Sequence, residues 1–74
     1  MVYFEFVSDK DAHALLEIYN LTGQRVKTLM DKPVQEGVLN KIEYRPNDQV
    51  EGVLLYKLFL DDAVQTGRIV YNRK

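Results

Sequence analysis

The chain has 74 residues, 46% of them hydrophobic, and its ten basic and eleven acidic residues leave it nearly neutral. A chain of this length forms one small domain with a thin stability margin, and it is too short to build both a core and a deep substrate pocket. The absence of cysteine excludes disulfides, thiolate metal sites and thiol nucleophiles, and the lack of a basic block argues against nucleic-acid binding. These properties favour a binding, structural or sorting module over an enzyme.

The first part of the chain begins with a strand predicted over 4–7 and a polar turn over 8–11. The next segment, 12–20, fits two structures. Helical spacing relates Ala12, Leu15, Leu16 and Tyr19. Strand alternation relates Ala14, Leu16 and Ile18. The segment runs into a turn signal over 20–23, which fits a hairpin, but periodicity alone leaves helix and strand open.

Alternation and turn signals predict the middle of the chain. A strand is predicted over 25–30, with Val26 and Leu29 as its buried residues and a bulge between them. A loop is predicted over 33–37, and the alternation of 39–45 predicts a further strand.

The last part of the chain contains its most apolar stretch. A turn is predicted over 46–48, and 52–60 has the length and the β-branched and aromatic content of a central strand covered on both faces. A hairpin loop over 61–63 joins it to a last strand over 64–72, with which it pairs. Six or seven short strands separated by turns predict an all-β fold, a small antiparallel β-sandwich or barrel, in a single domain over 1–74.

The sequence contains no set of residues that is adequate for a catalytic site or a metal site. His13 shares a predicted strand face with Leu15 and Glu17, and the sequence supplies it with neither a nucleophile nor further metal ligands, so we expect a surface histidine. A calcium site needs about six to eight oxygen ligands, so turn formation explains the short polar pairs better. These pairs are Asp9 and Asp11, Asn47 and Asp48, and Asp61 and Asp62. We therefore expect no catalytic residue, metal or cofactor.

Three segments carry motifs in a recognisable order. The sequence LEIYNLTGQRV over 16–26 resembles l-x-I-Y-N-x-x-G-Q-x-V, and GVLLYKL over 52–58 resembles G-V-Y-l-y-k-L. The final TGRIVYNRK over 66–74 looks like a terminal strand with a basic residue, an apolar pair and a basic end. Together they resemble the C-terminal sorting domains of the type IX (Por) secretion system of Bacteroidota. The chain departs from that pattern at Leu54, where the family usually has tyrosine, and at Gly67, where it often has a polar or basic residue.

The resemblance implies an immunoglobulin-like β-sandwich, with a strand over 12–20. It also implies that the chain is the C-terminal piece of a larger secreted cargo protein, which passes through the periplasm to the cell surface or the extracellular space. The outer-membrane export machinery would recognise the domain, and a sortase-like cysteine protease would typically remove it. The residues that the resemblance marks for recognition are Gly52, Val53, Leu55, Tyr56, Leu58, Arg68, Ile69, Val70, Arg73 and Lys74.

Four residues are given specific structural roles by the same comparison. Gly23 is expected to supply the positive φ of a tight hairpin turn. Gly52 is expected to let the chain enter a crowded central strand without a side-chain clash. Ile18 is expected in the core, with Tyr19 half-buried on the opposite face.

The sequence is also compatible with an alternative function. Immunoglobulin-like and flagellar-hook-cap-like accessory β-sandwiches share a similar I-Y-N-x-x-G hairpin, and they have structural or ligand-binding roles. The first six residues lack the basic leader and long apolar run of a signal peptide, so we expect any export signal to lie upstream. Exposed edge strands also leave open a homodimer formed by strand pairing or swapping.

Overall fold

Six antiparallel strands in two sheets make up the part of the chain that the computed structural model describes, residues 2–45 and 52–71. The strands are β1 (Val2–Val7), β2 (Ala12–Tyr19), β3 (Arg25–Val34), β4 (Leu39–Tyr44), β5 (Gly52–Leu60) and β6 (Ala63–Tyr71). One sheet pairs β1 with β4, and the other has the strand order β3-β2-β5-β6. The predicted all-β fold of antiparallel strands is therefore confirmed.

β2 is a strand, although its sequence also has helical spacing. Ala14, Leu16 and Ile18 point inward and are at most 1% exposed, while Tyr19 is half-buried on the opposite face. The strand pairs with β3 on one side and with β5 on the other, so its backbone groups are satisfied in both directions. Tertiary pairing outweighs the local helical pattern, and the strand predicted from residue 12 onward is confirmed.

The core lies between the two sheets and forms two clusters. One is built on Ile18, Tyr44, Leu54 and Ile69, with Val2, Phe4, Leu29 and Tyr56 packed against it. The other is built on Ala12, Ala14 and Val34, with Phe6, Met30 and Leu60 packed against it. Each cluster joins side chains from both sheets, and this shared burial holds the two layers of the sandwich together.

β3 differs most from its prediction, because two bulges interrupt its pairing with β2. The shifts in register leave Val26 and Leu29 without a direct partner across the ladder. Val26 is exposed as a result, so its prediction as a buried residue is wrong, whereas Leu29 packs against the core. The strand also continues through Pro33 and Val34 into the predicted loop. Proline is tolerated there because β3 is an edge strand, where a missing N–H leaves no ladder bond unmade.

The turn between β2 and β3 is built by the side chain of Asn20. Its Oδ1 accepts hydrogen bonds from the backbone N–H of Thr22 and Gln24 and from the Thr22 hydroxyl, at 3.1, 2.9 and 2.7 Å. Gly23 donates its N–H to the Asn20 carbonyl and has a φ of +89°, so the predicted positive φ at Gly23 is confirmed. The asparagine and glycine of this motif are therefore explained by turn formation alone.

β5 lies between β2 and β6, as its apolar sequence predicts, but only its inner face is buried. Leu54 and Leu58 are buried against the second sheet, whereas the outward Val53, Leu55 and Phe59 are half-buried. Among the described residues, the second sheet covers the inner face alone. The prediction that β5 is covered on both faces is therefore wrong.

Gly52 begins β5 for a reason other than the predicted one. A Cβ atom at Gly52 would meet nothing within 4 Å, so no clash excludes a side chain there. Its φ of +106° is what favours glycine. At the other end of β5, Asp61 and Asp62 form the turn, and Ala63, predicted in the loop, already pairs with Leu60. The turn predicted over 46–48 lies outside the described residues.

Gly67 leaves room for the ring of Tyr56 to lie against β6, the edge strand of the larger sheet. A Cβ atom at Gly67 would stand 2.5 to 2.6 Å from Cε2, Cζ and the hydroxyl oxygen of Tyr56, its partner across the β5–β6 ladder. The Tyr56 ring cannot easily move aside, because it packs edge-on against Phe4 of the other sheet with 5.2 Å between ring centroids. Glycine at this position is thus a packing requirement of Tyr56.

We predict that Gly67→Ala lowers the free energy of unfolding by about 1–3 kcal/mol, because the added methyl group overpacks the ring. Tyr56→Leu removes the three clashing atoms, so in that background the alanine should be neutral or slightly stabilising, as glycine in a strand is otherwise unfavourable. Denaturant unfolding of the four chains in this cycle measures the coupling. Equal costs of Gly67→Ala in both backgrounds would contradict the packing explanation, and Gln65→Ala on the same strand serves as the neutral control.

Candidate recognition surface

Eight of the ten residues marked for recognition lie on the β5–β6 hairpin, at one edge of the larger sheet. The two strands pair in continuous register, from Gly52 opposite Tyr71 to Leu60 opposite Ala63. Arg73 and Lys74 lie outside the described residues. The other eight marked residues share this hairpin, so the structure brings them together.

The strand alternation divides these residues between the core and the outer face of the sheet. Leu58 and Ile69 are buried, and Tyr56 packs against the core beside them. Val53, Leu55, Arg68 and Val70 are the marked residues on the outer face. A binding partner can contact this outward group directly, while the inward group supports the fold.

An open depression of about 420 Å³ lies over the hairpin. Its lining residues are Leu55, Tyr56, Lys57, Thr66, Gly67 and Arg68. Lys57 and Arg68 stand diagonally across the ladder, since Lys57 pairs with Thr66 and Arg68 pairs with Leu55. The ammonium group of Lys57 lies over the Tyr19 ring on the β2 side of β5, so the depression has a mostly apolar surface with the cationic Arg68 among its lining residues. Lys57 lies within the range 52–58 that resembles the family's strand, whereas sequence reasoning did not mark Thr66, which only the register of the hairpin places here.

A buried carboxylate stands beside this depression, on the same outer face. Glu17 is 6% exposed, and its two oxygens accept hydrogen bonds from the Tyr19 hydroxyl at 2.6 Å and from Arg25 at 3.1 Å. Lys57 lies directly opposite Glu17 across the ladder, with its ammonium 4.7 Å from the centre of the Tyr19 ring. These four side chains form the Glu17 cluster, which joins three strands of the sheet.

The cluster holds the pKa of Glu17 below its ordinary value of 4.5. The hydrogen bond from Tyr19 is the largest cause, and the nearby charges of Arg25 and Lys57 add to it, while burial opposes the shift. The same hydrogen bond raises the pKa of Tyr19. Glu17 is thus an ionised structural residue, whose charge is balanced by its neighbours.

The two edges of the larger sheet differ in how far they discourage pairing with another strand. β3 carries Pro33, two bulges and the exposed Lys27 and Lys32, all features that disfavour a further strand. β6 has nine residues in unbroken register with β5, and Arg68 is its single charged residue. Of these two edges, β6 is the one that can accept an added strand.

His13, Asp11 and Asp61 each have a structural contact in the described residues. The His13 ring lies 2.5 Å from Asp31 across the β2–β3 ladder, and both side chains are more than half exposed. The backbone N–H of His13 donates to Asp61, and that of Glu36 donates to Asp11. Within residues 2–45 and 52–71, no group of three or more acidic or histidine side chains is placed to hold a metal ion.

No protein-family model, curated protein or solved structure gives a significant match to the chain. In the part of the chain that the structure describes, no helix is long and apolar enough to cross a membrane.

We predict that Glu17→Gln lowers the free energy of unfolding at neutral pH by about 1 kcal/mol, because a charge-assisted cluster becomes neutral at its centre. Since the folded pKa of Glu17 is lowered, its contribution is present above the unfolded value of 4.5 and is lost as pH falls through the folded value. The variant should therefore lose less stability on acidification than the original chain. Denaturant unfolding between about pH 6 and pH 3 measures this difference.

Glu5→Gln is the matched control for this experiment. Glu5 pairs with Lys41 at 3.7 Å, but both side chains are at least half exposed, so this ion pair should contribute little. Parallel pH dependence of the original chain and the Glu17 variant would contradict the role assigned to the cluster.

Proposed function

We propose that this chain is a non-catalytic sorting domain that directs an attached cargo protein across the outer membrane by type IX secretion. The observation that carries the proposal is the placement of the three family-like segments. They fall on β2 with its turn, on β5 and on β6, which are neighbours in one sheet. Motifs that are separate in the sequence thus form one continuous structural unit.

The β5–β6 hairpin supports the proposal as the surface that the export machinery reads. Its outward residues include Leu55, Arg68 and Val70, beside the depression that also contains Lys57. The edge of β6 offers backbone groups to an added strand, and Arg68 gives that docking a preferred charge. A domain recognised in this way acts as a folded sorting signal, and a separate sortase-like protease would cleave it off. Its route is then through the periplasm to the cell surface or beyond.

An accessory β-sandwich with a structural or ligand-binding role is the second candidate. It is favoured by the turn at Asn20 and Gly23, because turn chemistry explains both residues without any sorting role. The position of the domain in its natural chain separates the two candidates. A sorting domain ends the chain, whereas an accessory domain can lie within it.

We predict that residues 1–74, fused behind a periplasmic reporter in a type IX-competent bacterium, carry the reporter to the surface or the medium. Truncation after Leu60 removes β6 and should leave the reporter in the periplasm. Arg68→Glu should reduce export several-fold without unfolding the domain, because it reverses a charge on the exposed face of the hairpin. Fractionation with immunoblotting measures the distribution.

Lys32→Glu is the matched control, since it makes the same charge change on the opposite edge strand, β3, and should export normally. Retention of the intact fusion in the periplasm, equal to that of the truncated form, would end the sorting proposal. Equal export of the Arg68 and Lys32 variants would contradict the role of the hairpin as the surface that the export machinery recognises.

A further inference from the structure

The edge of β6 has a residue pattern that is nearly symmetric about its centre. Gly67 is the middle residue of Ala63–Tyr71. Two exposed valines stand three positions to either side of it, Val64 at 52% and Val70 at 66% exposed. Thr66 and Arg68 stand one position to either side, on the same outer face as the valines.

We propose that two copies of this chain associate through β6, as an antiparallel strand pair with two-fold symmetry centred on Gly67. Each Gly67 then faces the Gly67 of its partner. Val64 faces the partner's Val70, and Thr66 faces the partner's Arg68. The two larger sheets become one sheet of eight strands, with a continuous outer face.

The edge itself supplies the backbone interaction for this dimer. β6 is regular over nine residues and pairs with β5 on one side, so alternate N–H and C=O groups along its other side are directed outward. The opposite edge, β3, is interrupted by two bulges and Pro33. The geometry therefore favours pairing through β6 over pairing through β3.

The side chains favour the register centred on Gly67 over its neighbours. Centring the pair on Arg68 would set two guanidinium groups directly opposite each other, which is unfavourable. Centring the pair on Thr66 would place each Val64 opposite the partner's Arg68. Neither of the two Val64–Val70 pairs would then form. A shift by one residue would turn the partner's outer face to the other side of the sheet. The Gly67 register alone among these pairs the exposed valines and separates the charges.

The order of charges in the sequence also favours the antiparallel direction. Asp61 and Asp62 precede β6, and Arg73 and Lys74 follow its last described residue. Antiparallel alignment of two copies directs the acidic start of one segment toward the basic end of the other. A single strand pair makes a small interface, so we expect a dimer that dissociates on dilution.

The test uses the absence of native cysteine. Val64→Cys and Val70→Cys are prepared as separate full-length chains and mixed under mild oxidation. In the proposed register these positions face each other at about 5 Å between Cα atoms, within disulfide range, so the mixture should form covalent dimers. Position 64 lies about 20 Å along the strand from the partner's position 64. The same separation holds for position 70, so neither variant alone should form covalent dimers.

Val26→Cys, exposed on β3, is mixed with Val70→Cys as the control, and this mixture should form no covalent dimer. Light scattering over a concentration series measures the monomer–dimer equilibrium, and the unmodified chain should dimerise as its concentration rises. Val70→Lys should shift the midpoint of dimerisation to higher concentration. Val26→Lys, on β3, should leave that midpoint unchanged. Circular dichroism confirms that each variant is folded. A chain that stays monomeric at every concentration, or cross-links that form equally in the single variants, overturns the proposal. Both outcomes leave the sorting proposal standing, because export is measured separately.

Discussion

The double-sided pairing of β2 is the constraint on which the other features depend. A small domain has little interior, and here the three inward residues Ala14, Leu16 and Ile18 are almost completely buried because β3 and β5 flank their strand and the second sheet covers its inner face. This position turns a segment with helical spacing into a strand. It also brings Glu17 to the middle of the outer face, where Tyr19 and the two neighbouring strands can reach it. The core and the Glu17 cluster are therefore opposite faces of the same strand.

The outer face of the larger sheet combines apolar and ionised side chains in separate places. The Glu17 cluster neutralises a carboxylate at the centre, while Arg68 stands nearer the edge and has no ion-pair partner within residues 2–45 and 52–71. Leu55 and Val70 add apolar area around it. The edge strand beside them lacks the bulges and proline that protect β3. The proposed recognition by an export machinery and the proposed association of two copies would both use this edge, so the two interactions would compete for β6.

Much of the fold follows from local sequence signals, and the errors arise where long-range register decides. Gly23 and the alternation of 39–45 predict a turn and a strand correctly, because these signals are local. The exposure of Val26 depends on bulges that no local pattern specifies. The same is true of the surface over the hairpin. Leu55 and Arg68 were marked by resemblance, but Lys57 and Thr66 join them only through the pairing of β5 with β6.

The pairing of β2 with β5 also has a consequence for the time course of folding. Ala14 pairs with Leu60, so a strand from the first part of the chain cannot complete its hydrogen bonds until a distant segment has been synthesised and has found it. Chains dominated by such non-local pairings fold slowly for their size, on a scale of milliseconds to seconds. Under the proposed export route the chain crosses an inner membrane before it folds, and slow strand pairing would favour that step. The same topology that stabilises the finished sheet therefore delays its completion until the segment 52–60 is available to pair.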